Sequence, residues 1–429
     1  MSLLKLLSAS SLVLGLSFIL RFTLTLTFAR YLTSSELGVY SWVVTAFAFA
    51  GILTNYGLDF FLIRKIPEFR NKSPDLIASV IKHARNLSVK IALAVILIIV
   101  PLSYFSVYFF EGTAVYNLEL IVIVLALPFA ALSLIFSTSL RAFDFPITGQ
   151  FIESIIQAGI LLIGVLIFFN LFSDAIPKDK RVLFVVTIFV FAWIFSFLIS
   201  YCEFKRSVKI PASILPTSNE DIKEWKGDQF SIFFGILGWS FLGRSDIFLL
   251  AFFVAPSEVG AYFICLRLAE VLMFFCTVAY YVWGGELSNS VQGGKMQEAQ
   301  AILKQSSQLC ISTTLLMAVF ALIFAQEILY FVNETYADYS YLFRIALVVF
   351  LIKGASGMLK PLYYILGEQD FLAKIQWTIG LSFTGLVLIT VPIYGVIGCI
   401  LSFALCEAIF LMILVTRLYK KHNLSLVPF

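Results

Sequence analysis

The sequence predicts an all-α polytopic membrane protein: twelve transmembrane helices, arranged as two tandem six-helix bundles around a central cavity. Three observations predict it. First, the 429-residue chain is 60% hydrophobic and 13% charged, with mean hydropathy +0.97, whereas a soluble domain carries about 25% charged residues. Second, twelve segments reach the roughly 20 apolar residues that a helix needs to cross a bilayer core. Third, Ser35-Glu36-Leu37-Gly38-Val39-Tyr40 returns 222 residues later as Ser257-Glu258-Val259-Gly260-Ala261-Tyr262, and the same offset sets Val80-Ile81-Lys82 on Ile302-Leu303-Lys304. Register held over about 45 residues marks a duplication. Tandem halves in a membrane are a transporter architecture, with the substrate site between the repeats.

The segments run over 8–29, 40–63, 90–110, 120–140, 150–171, 182–202, 229–253, 260–284, 307–331, 341–363, 372–391 and 395–416. The first carries Arg21 at its centre and lacks a small-residue cleavage site, so it reads as a retained helix. Each copy of the repeat opens the second segment of its half. The stretches 73–89 and 296–307 alternate apolar and polar residues at helical spacing, as in Ile77 and Ile81, which predicts short surface helices. Pro211, Pro216 and the charged run from Glu220 to Asp228 mark a cytoplasmic linker. The halves are then 1–210 and 229–429, with 211–228 between them. The uncharged run from Ile375 to Cys406 is too long for one helix, and Pro392-Ile393-Tyr394-Gly395 divides it.

Lys and Arg set the orientation. They concentrate after segments 2, 4, 6, 8 and 10 and at both ends, for example Lys65, Arg70, Lys82, Lys205 and Lys226, which places both termini in the cytoplasm. The cluster Lys178, Lys180 and Arg181, diluted by Asp174 and Asp179, opposes this arrangement. No extramembrane domain, Gly-rich phosphate loop or nucleic-acid motif is present. His83 and His422 lie in polar stretches outside the apolar segments, which argues against a histidine-based metal or triad site. Six cysteines without a CxxC pair read as packing residues, with no disulfide. No cofactor or metal is expected.

The chemistry rests on charges inside the membrane, which cost about 2.5–3.5 kcal/mol each and face a cavity or a partner. They are Arg21 in segment 1, Arg244 and Asp246 in segment 7, Arg267 and Glu270 in segment 8, and Lys353 and Lys360 in segment 10. The three arginines lie at similar depth and would form a positive collar between the halves. Lys353 and Lys360, seven residues apart, would share one helix face about 10 Å apart. A competing reading is internal pairing: Arg267 and Glu270 stand at i and i+3. Five cations against two acids leave an excess that an anion would complete, and guanidinium groups match phosphate geometry. Arg21, Arg244, Arg267, Lys353 and Lys360 are therefore the candidate substrate-binding residues, and Asp246 and Glu270 the candidates for ion coupling. Trp42, Trp239 and Trp283 fit interfacial anchoring or core packing better than sugar stacking.

The pattern of Arg21, then Ala29-Arg30-Tyr31-Leu32, then Ser35 to Tyr40 resembles the amino-terminal region of polysaccharide-transporter flippases. Their superfamily also holds lipid II flippases and multidrug and toxic-compound extrusion transporters. Gly57-Leu58-Asp59 with Ile63-Arg64 resembles the end of their second helix. Arg244-Ser245-Asp246-Ile247, Glu258 to Tyr262 and Leu266-Arg267-Leu268-Ala269-Glu270 resemble the opening of their second half. The resemblance implies a V-shaped pair of bundles in a bacterial cytoplasmic membrane and no enzymatic reaction. It also implies flipping of undecaprenyl-diphosphate-linked oligosaccharide, such as an O-antigen or capsule unit. Membrane lipids, a polysaccharide polymerase and chain-length machinery are the implied partners, with no nucleic acid. It carries a cavity-lining role to Arg21, Arg244 and Arg267 only. The alternatives are a drug or metabolite exporter of the same superfamily, which would favour an acidic cavity, and a membrane-embedded glycosyltransferase, polymerase or ligase, which would need a larger outer loop or an acidic pair.

Overall fold

The computed structural model describes residues 3–72, 76–109, 117–172, 176–177, 180–208 and 219–424, and every element among them is helical. The chain divides into two compact units, Met1–Leu237 and Gly238–Phe429. The expected linker at 211–228 lies outside the described residues up to 218. From Asn219 onward it is helix, continuous to Leu250, so the division falls inside a helix. Trp225 explains why these turns belong to the first unit: it is almost fully buried against Phe61, Phe69 and His83.

The first unit holds α1 (Leu3–Tyr31), α2 (Ser34–Asn55), α3 (Leu58–Lys72), α4 (Leu76–Phe109), α5 (Asn117–Val124), α6 (Leu127–Ala142), α7 (Pro146–Phe151), a π-helical turn (Ile152–Ile156), α8 (Gln157–Leu171), α9 (Arg181–Ser207) and the start of α10 (Asn219–Leu250). Helix α6 is central and packs on α9, α3, α4 and α2. The core joins Leu58, Phe61 and Leu62 of α3, Ile77 and Val80 of α4, and Phe136 and Leu140 of α6. The second unit holds α11 (Pro256–Ala269), a 3₁₀ turn (Glu270–Met273), α12 (Phe274–Gln292), α13 (Met296–Ile323), α14 (Ala325–Val332), α15 (Ser340–Ala355), α16 (Leu359–Ile365) and α17 (Gln369–His422). Here α15 packs on α11, α13 and α17, and α12 on α13.

Among the described residues, ten helices or joined helix pairs are long and apolar enough to cross a membrane. The last is two helices that turn back on each other at Gly395, where φ 57° and ψ −139° make the turn expected from Pro392 to Gly395, so that Phe383 packs on Phe403 and Phe371 meets Arg417. With α10, the twelve-helix layout is complete. The separate surface helices expected over 73–89 and 296–307 do not form. From Leu76 and Met296 onward those stretches are the first turns of α4 and α13, since no glycine or proline interrupts the helical register that follows them. Segment 2 is instead broken into α2 and α3 at Tyr56 and Gly57, both left-handed at φ 47° and 72°. A Cβ on Gly57 would lie 2.9 Å from Ile232 Cγ2 and 3.0 Å from the Phe233 nitrogen. Only glycine fits that approach.

The repeated stretch opens α2 and α11 at matching places: Glu36 and Glu258 are the third residue of each helix, and Gly38 and Gly260 the buried fifth. The starts differ chemically. Thr33 accepts from the Glu36 nitrogen while a Glu36 carboxylate oxygen accepts from the Thr33 nitrogen at 2.7 Å, a reciprocal cap of the kind worth about 1 kcal/mol. Ala255 caps nothing with its side chain, and Pro256 supplies a preset φ at the first helical position instead.

Candidate functional site

Asp246 is buried near the end of α10. The fully buried Tyr262 of α11 donates its hydroxyl to Asp246 Oδ2 at 2.9 Å, and the Cys399 thiol donates to the Tyr262 oxygen at 3.7 Å. Oδ1 of Asp246 is buried with no donor among the described residues. Lys353 and Arg267 lie within electrostatic reach of this carboxylate. A desolvated acid with one oxygen committed and one open is suited to hold a proton or a small cation.

Lys353 closes α15, and the backbone turns over Ser356 to Met358 before α16 carries Lys360. The two lysines therefore sit on different helices rather than one continuous face. What unites them is α17. Phe403, Glu407 and Phe410, spaced i, i+4 and i+7, form one stripe of that helix. Lys353 Nζ lies 4.0 Å from Glu407 Oε1 and over the rings of Phe350 and Phe403, at 5.2 and 5.4 Å. Lys360 lies over Phe410 at 5.1 Å and within electrostatic reach of Glu407. Helix α15 comes this close to α13 because Gly354 and Gly357 carry no Cβ; one at Gly354 would meet Thr314 Cγ2 at 2.7 Å.

The first unit builds a different cluster. Glu153 sits in the π-helical turn, where the wider ring disturbs the helical ladder, and the Ser154 carbonyl accepts from Ser17 Oγ at 3.0 Å. Arg21, one turn beyond Ser17, reaches that hydroxyl with Nε at 3.4 Å. Arg141 of α6 lies 2.9 Å from Glu153 and donates to Thr138 at 3.0 Å. The charges of Arg21 and Asp59 are felt at Glu153 as well. Two cations and two acids thus meet on α1, α3, α6 and the π-helical turn.

Of the seven residues singled out from sequence, the second unit gathers Asp246 and Lys353, with Lys360 beside them at Glu407. Arg267 and Glu270 pair with each other at 2.6 Å, both about half exposed, and Arg267 also lies over Phe263. Arg21 belongs to the first unit. The Arg244 side chain lies outside the described residues, as does that of Trp239. Trp42 is buried and Trp283 packs on Cys276, Ala279 and Cys310, in keeping with a packing role. Sequence reasoning missed Glu153, Arg141 and Glu407. Adding Arg141 to the five cations, and Glu153, Asp59 and Glu407 to the two acids, leaves six against five, a smaller excess than was read from sequence. Glu407 was legible as an acid within segment 12. The π-helical turn left no sequence signal.

Residues 3–284 match the family model described as "Polysaccharide biosynthesis protein". No curated protein matches the chain. Among solved structures, it is similar to the lipid II flippase MurJ in an inward closed conformation (TM-score 0.77, 14% identity, 95% of this chain and 87% of that one). It is similar to an inward-facing multidrug resistance MATE family transporter of the MOP superfamily (TM-score 0.75, 12% identity, 92% of each chain). It is also similar to the MATE multidrug transporter DinF-BH (TM-score 0.65, 15% identity, 98% of this chain and 96% of that one). The fold is thus the twelve-helix, two-lobe fold of these transporters, and the chain belongs to the polysaccharide biosynthesis protein family.

Proposed function

We propose that this protein flips undecaprenyl-diphosphate-linked oligosaccharide, an O-antigen or capsule repeat unit, to the outer leaflet of a bacterial cytoplasmic membrane by alternating access. The family match over 3–284 carries the reading; likeness in fold to a lipid II flippase agrees with it. Arg21, Arg244, Arg267, Lys353 and Lys360 would meet the diphosphate, a role to which Arg141 is added. The prenyl tail would stay in lipid. Export of an anion from a negative-inside cell gains about 2.3 kcal/mol per charge per 100 mV. Asp246, with its open Oδ1, would carry a coupling proton or cation.

A second reading, export of a drug or metabolite, is supported by likeness in fold to multidrug transporters and by the carboxylates at Glu153 and Glu407. Transport in vesicles separates the two. Purified protein in phospholipid vesicles should move a fluorescent polyprenyl-diphosphate sugar between leaflets and leave a cationic dye untransported. Dye movement without lipid flipping would reverse the assignment.

A further inference from the structure

The second unit contains a cleft between the start of α17 and its last turns, beginning at Met412 just beyond Glu407 and running to Lys421, where the helix leaves its apolar stretch. Its volume is about 540 Å³. Phe371, Met412 and Ile413 line one part; Thr416, Arg417, Lys420 and Lys421 line the rest. Apolar wall and cationic wall meet within a single cavity.

The cations are held in place. Glu368, 7% exposed at its side chain, precedes α17 and accepts from Arg417 Nε at 2.7 Å, Lys421 Nζ at 2.7 Å and His422 Nε2 at 2.6 Å. Arg417 also lies over the Phe371 ring with 3.8 Å to its centroid. Burial alone would raise the Glu368 pKa. The hydrogen bonds from Lys421, Arg417 and His422 reverse that and bring it down to about 2, so the carboxylate stays charged and the clamp stays closed at neutral pH. Lys420 makes no ion pair among the described residues and is exposed at the mouth. Three full positive charges thus face one negative charge. Cations at a helix carboxyl end also complement the helix dipole, but that role needs neither a cleft nor a buried carboxylate to fix two of them.

We infer that this cleft is a binding site for an anionic phospholipid of the surrounding bilayer. Its phosphate sits against Lys420, Lys421 and Arg417, and the first carbons of an acyl chain lie along Met412, Ile413 and Phe371. The excess cations supply attraction that a zwitterionic lipid does not satisfy, and basic pockets between membrane helices bind acidic headgroups for this reason. The ion-pair hub lowers the ordering cost, since Arg417 and Lys421 are fixed before the lipid arrives.

The test uses the full-length protein purified in dodecylmaltoside, followed by thermal unfolding with added lipid. Dioleoylphosphatidylglycerol should raise the unfolding midpoint and dioleoylphosphatidylcholine should not, because a ligand that binds the native state stabilises it by mass action. The double variant K420A/K421A should lose more than half of the phosphatidylglycerol shift. E368Q, which retains the cations but weakens their clamp, should lose a smaller part. K295A, which removes a surface lysine paired with Glu298, should keep the full shift. If K420A/K421A elutes as aggregate, K420Q/K421Q takes its place. An equal shift with phosphatidylcholine, a full shift in the double variant, or the same shift with inorganic phosphate alone would overturn the proposal. A shift with undecaprenyl diphosphate but none with phosphatidylglycerol would overturn it too, by assigning the cleft to a transported lipid.

Discussion

The two units start their second helices on the same six-residue pattern, yet almost nothing charged is shared behind it. Carried back without a gap by 222 residues, Lys353, Lys360 and Glu407 fall on Ala131, Thr138 and Val185. Carried forward, Arg141 and Glu153 fall on Tyr363 and Ile375. The first unit places its charges around a π-helical turn, partly exposed and balanced. The second places a deeply buried Asp246 under a tyrosine and sets Glu407 near two lysines. The two units therefore share the starts of α2 and α11, whereas the close-approach glycines Gly57, Gly354 and Gly357 fall on Ala279, Leu132 and Ile135 and the charged positions differ as well. Charge in a bilayer is costly, so each cluster persists only with partners or a function.

The largest test of this difference is transport itself. Arg21→Ala in the first unit and Arg244→Ala in the second should each abolish surface glycan assembly at normal membrane levels, while the Lys variants keep part of it, since charge survives and bidentate geometry is lost. Complementation beside a membrane-fraction blot reads both quantities. Full complementation by both alanine variants would detach the arginines from function.

Next in size is the buried pair of the second unit. Glu407→Ala strands Lys353 and Lys360 and should lower thermal stability by about 3–5 kcal/mol, whereas Lys353→Met combined with Glu407→Leu should recover only part of that loss, because Lys360 also faces Glu407. If the double variant folds and still transports, the pair is architectural only. Glu153→Ala should cost less, because Arg141 beside it keeps a bond to Thr138 and is more exposed.

Smaller again is the contrast between two left-handed glycines. Gly57→Ala meets Ile232 and the Phe233 backbone, whereas Gly395→Ala has only Val254 Cγ1 at 3.9 Å. Gly57 carries the left-handed penalty of about 1–2 kcal/mol, and Gly395, at φ 57° and ψ −139°, lies in a region open essentially to glycine, at about 1–3 kcal/mol. Gly57→Ala should exceed its backbone penalty in unfolding measurements because of the clash, whereas Gly395→Ala should show the backbone cost alone. Equal losses would show that backbone strain, not close approach, dominates at Gly57.

The smallest effect belongs to Glu368. Its folded pKa of about 2 lies below its ordinary value of 4.5, so its stabilising contribution is complete above about pH 4.5 and is lost as pH falls toward 2. The midpoint advantage of wild type over Glu368→Gln should shrink across that window, by the 2–4 °C that roughly 1 kcal/mol produces. A constant difference from pH 7 to pH 3 would mean the clamp does not titrate there.

The amino-acid sequence alone determined the membrane class, the twelve spans, the matching starts of α2 and α11 and the turn at Gly395, because each depends on local quantities: apolar length, repeat register, glycine and proline placement. It also marked Arg267 and Glu270 as able to pair, since i and i+3 positions meet on any helix. Tertiary structure decided the rest. That Lys353 and Lys360 straddle a break and both approach Glu407, that Tyr262 covers Asp246, and that Trp225 draws the start of α10 into the first unit are contacts between residues distant in sequence. The π-helical turn under Glu153 and the clamp around Glu368 arise the same way. No local pattern records them, because the free energy that favours each belongs to neighbours that only folding brings together.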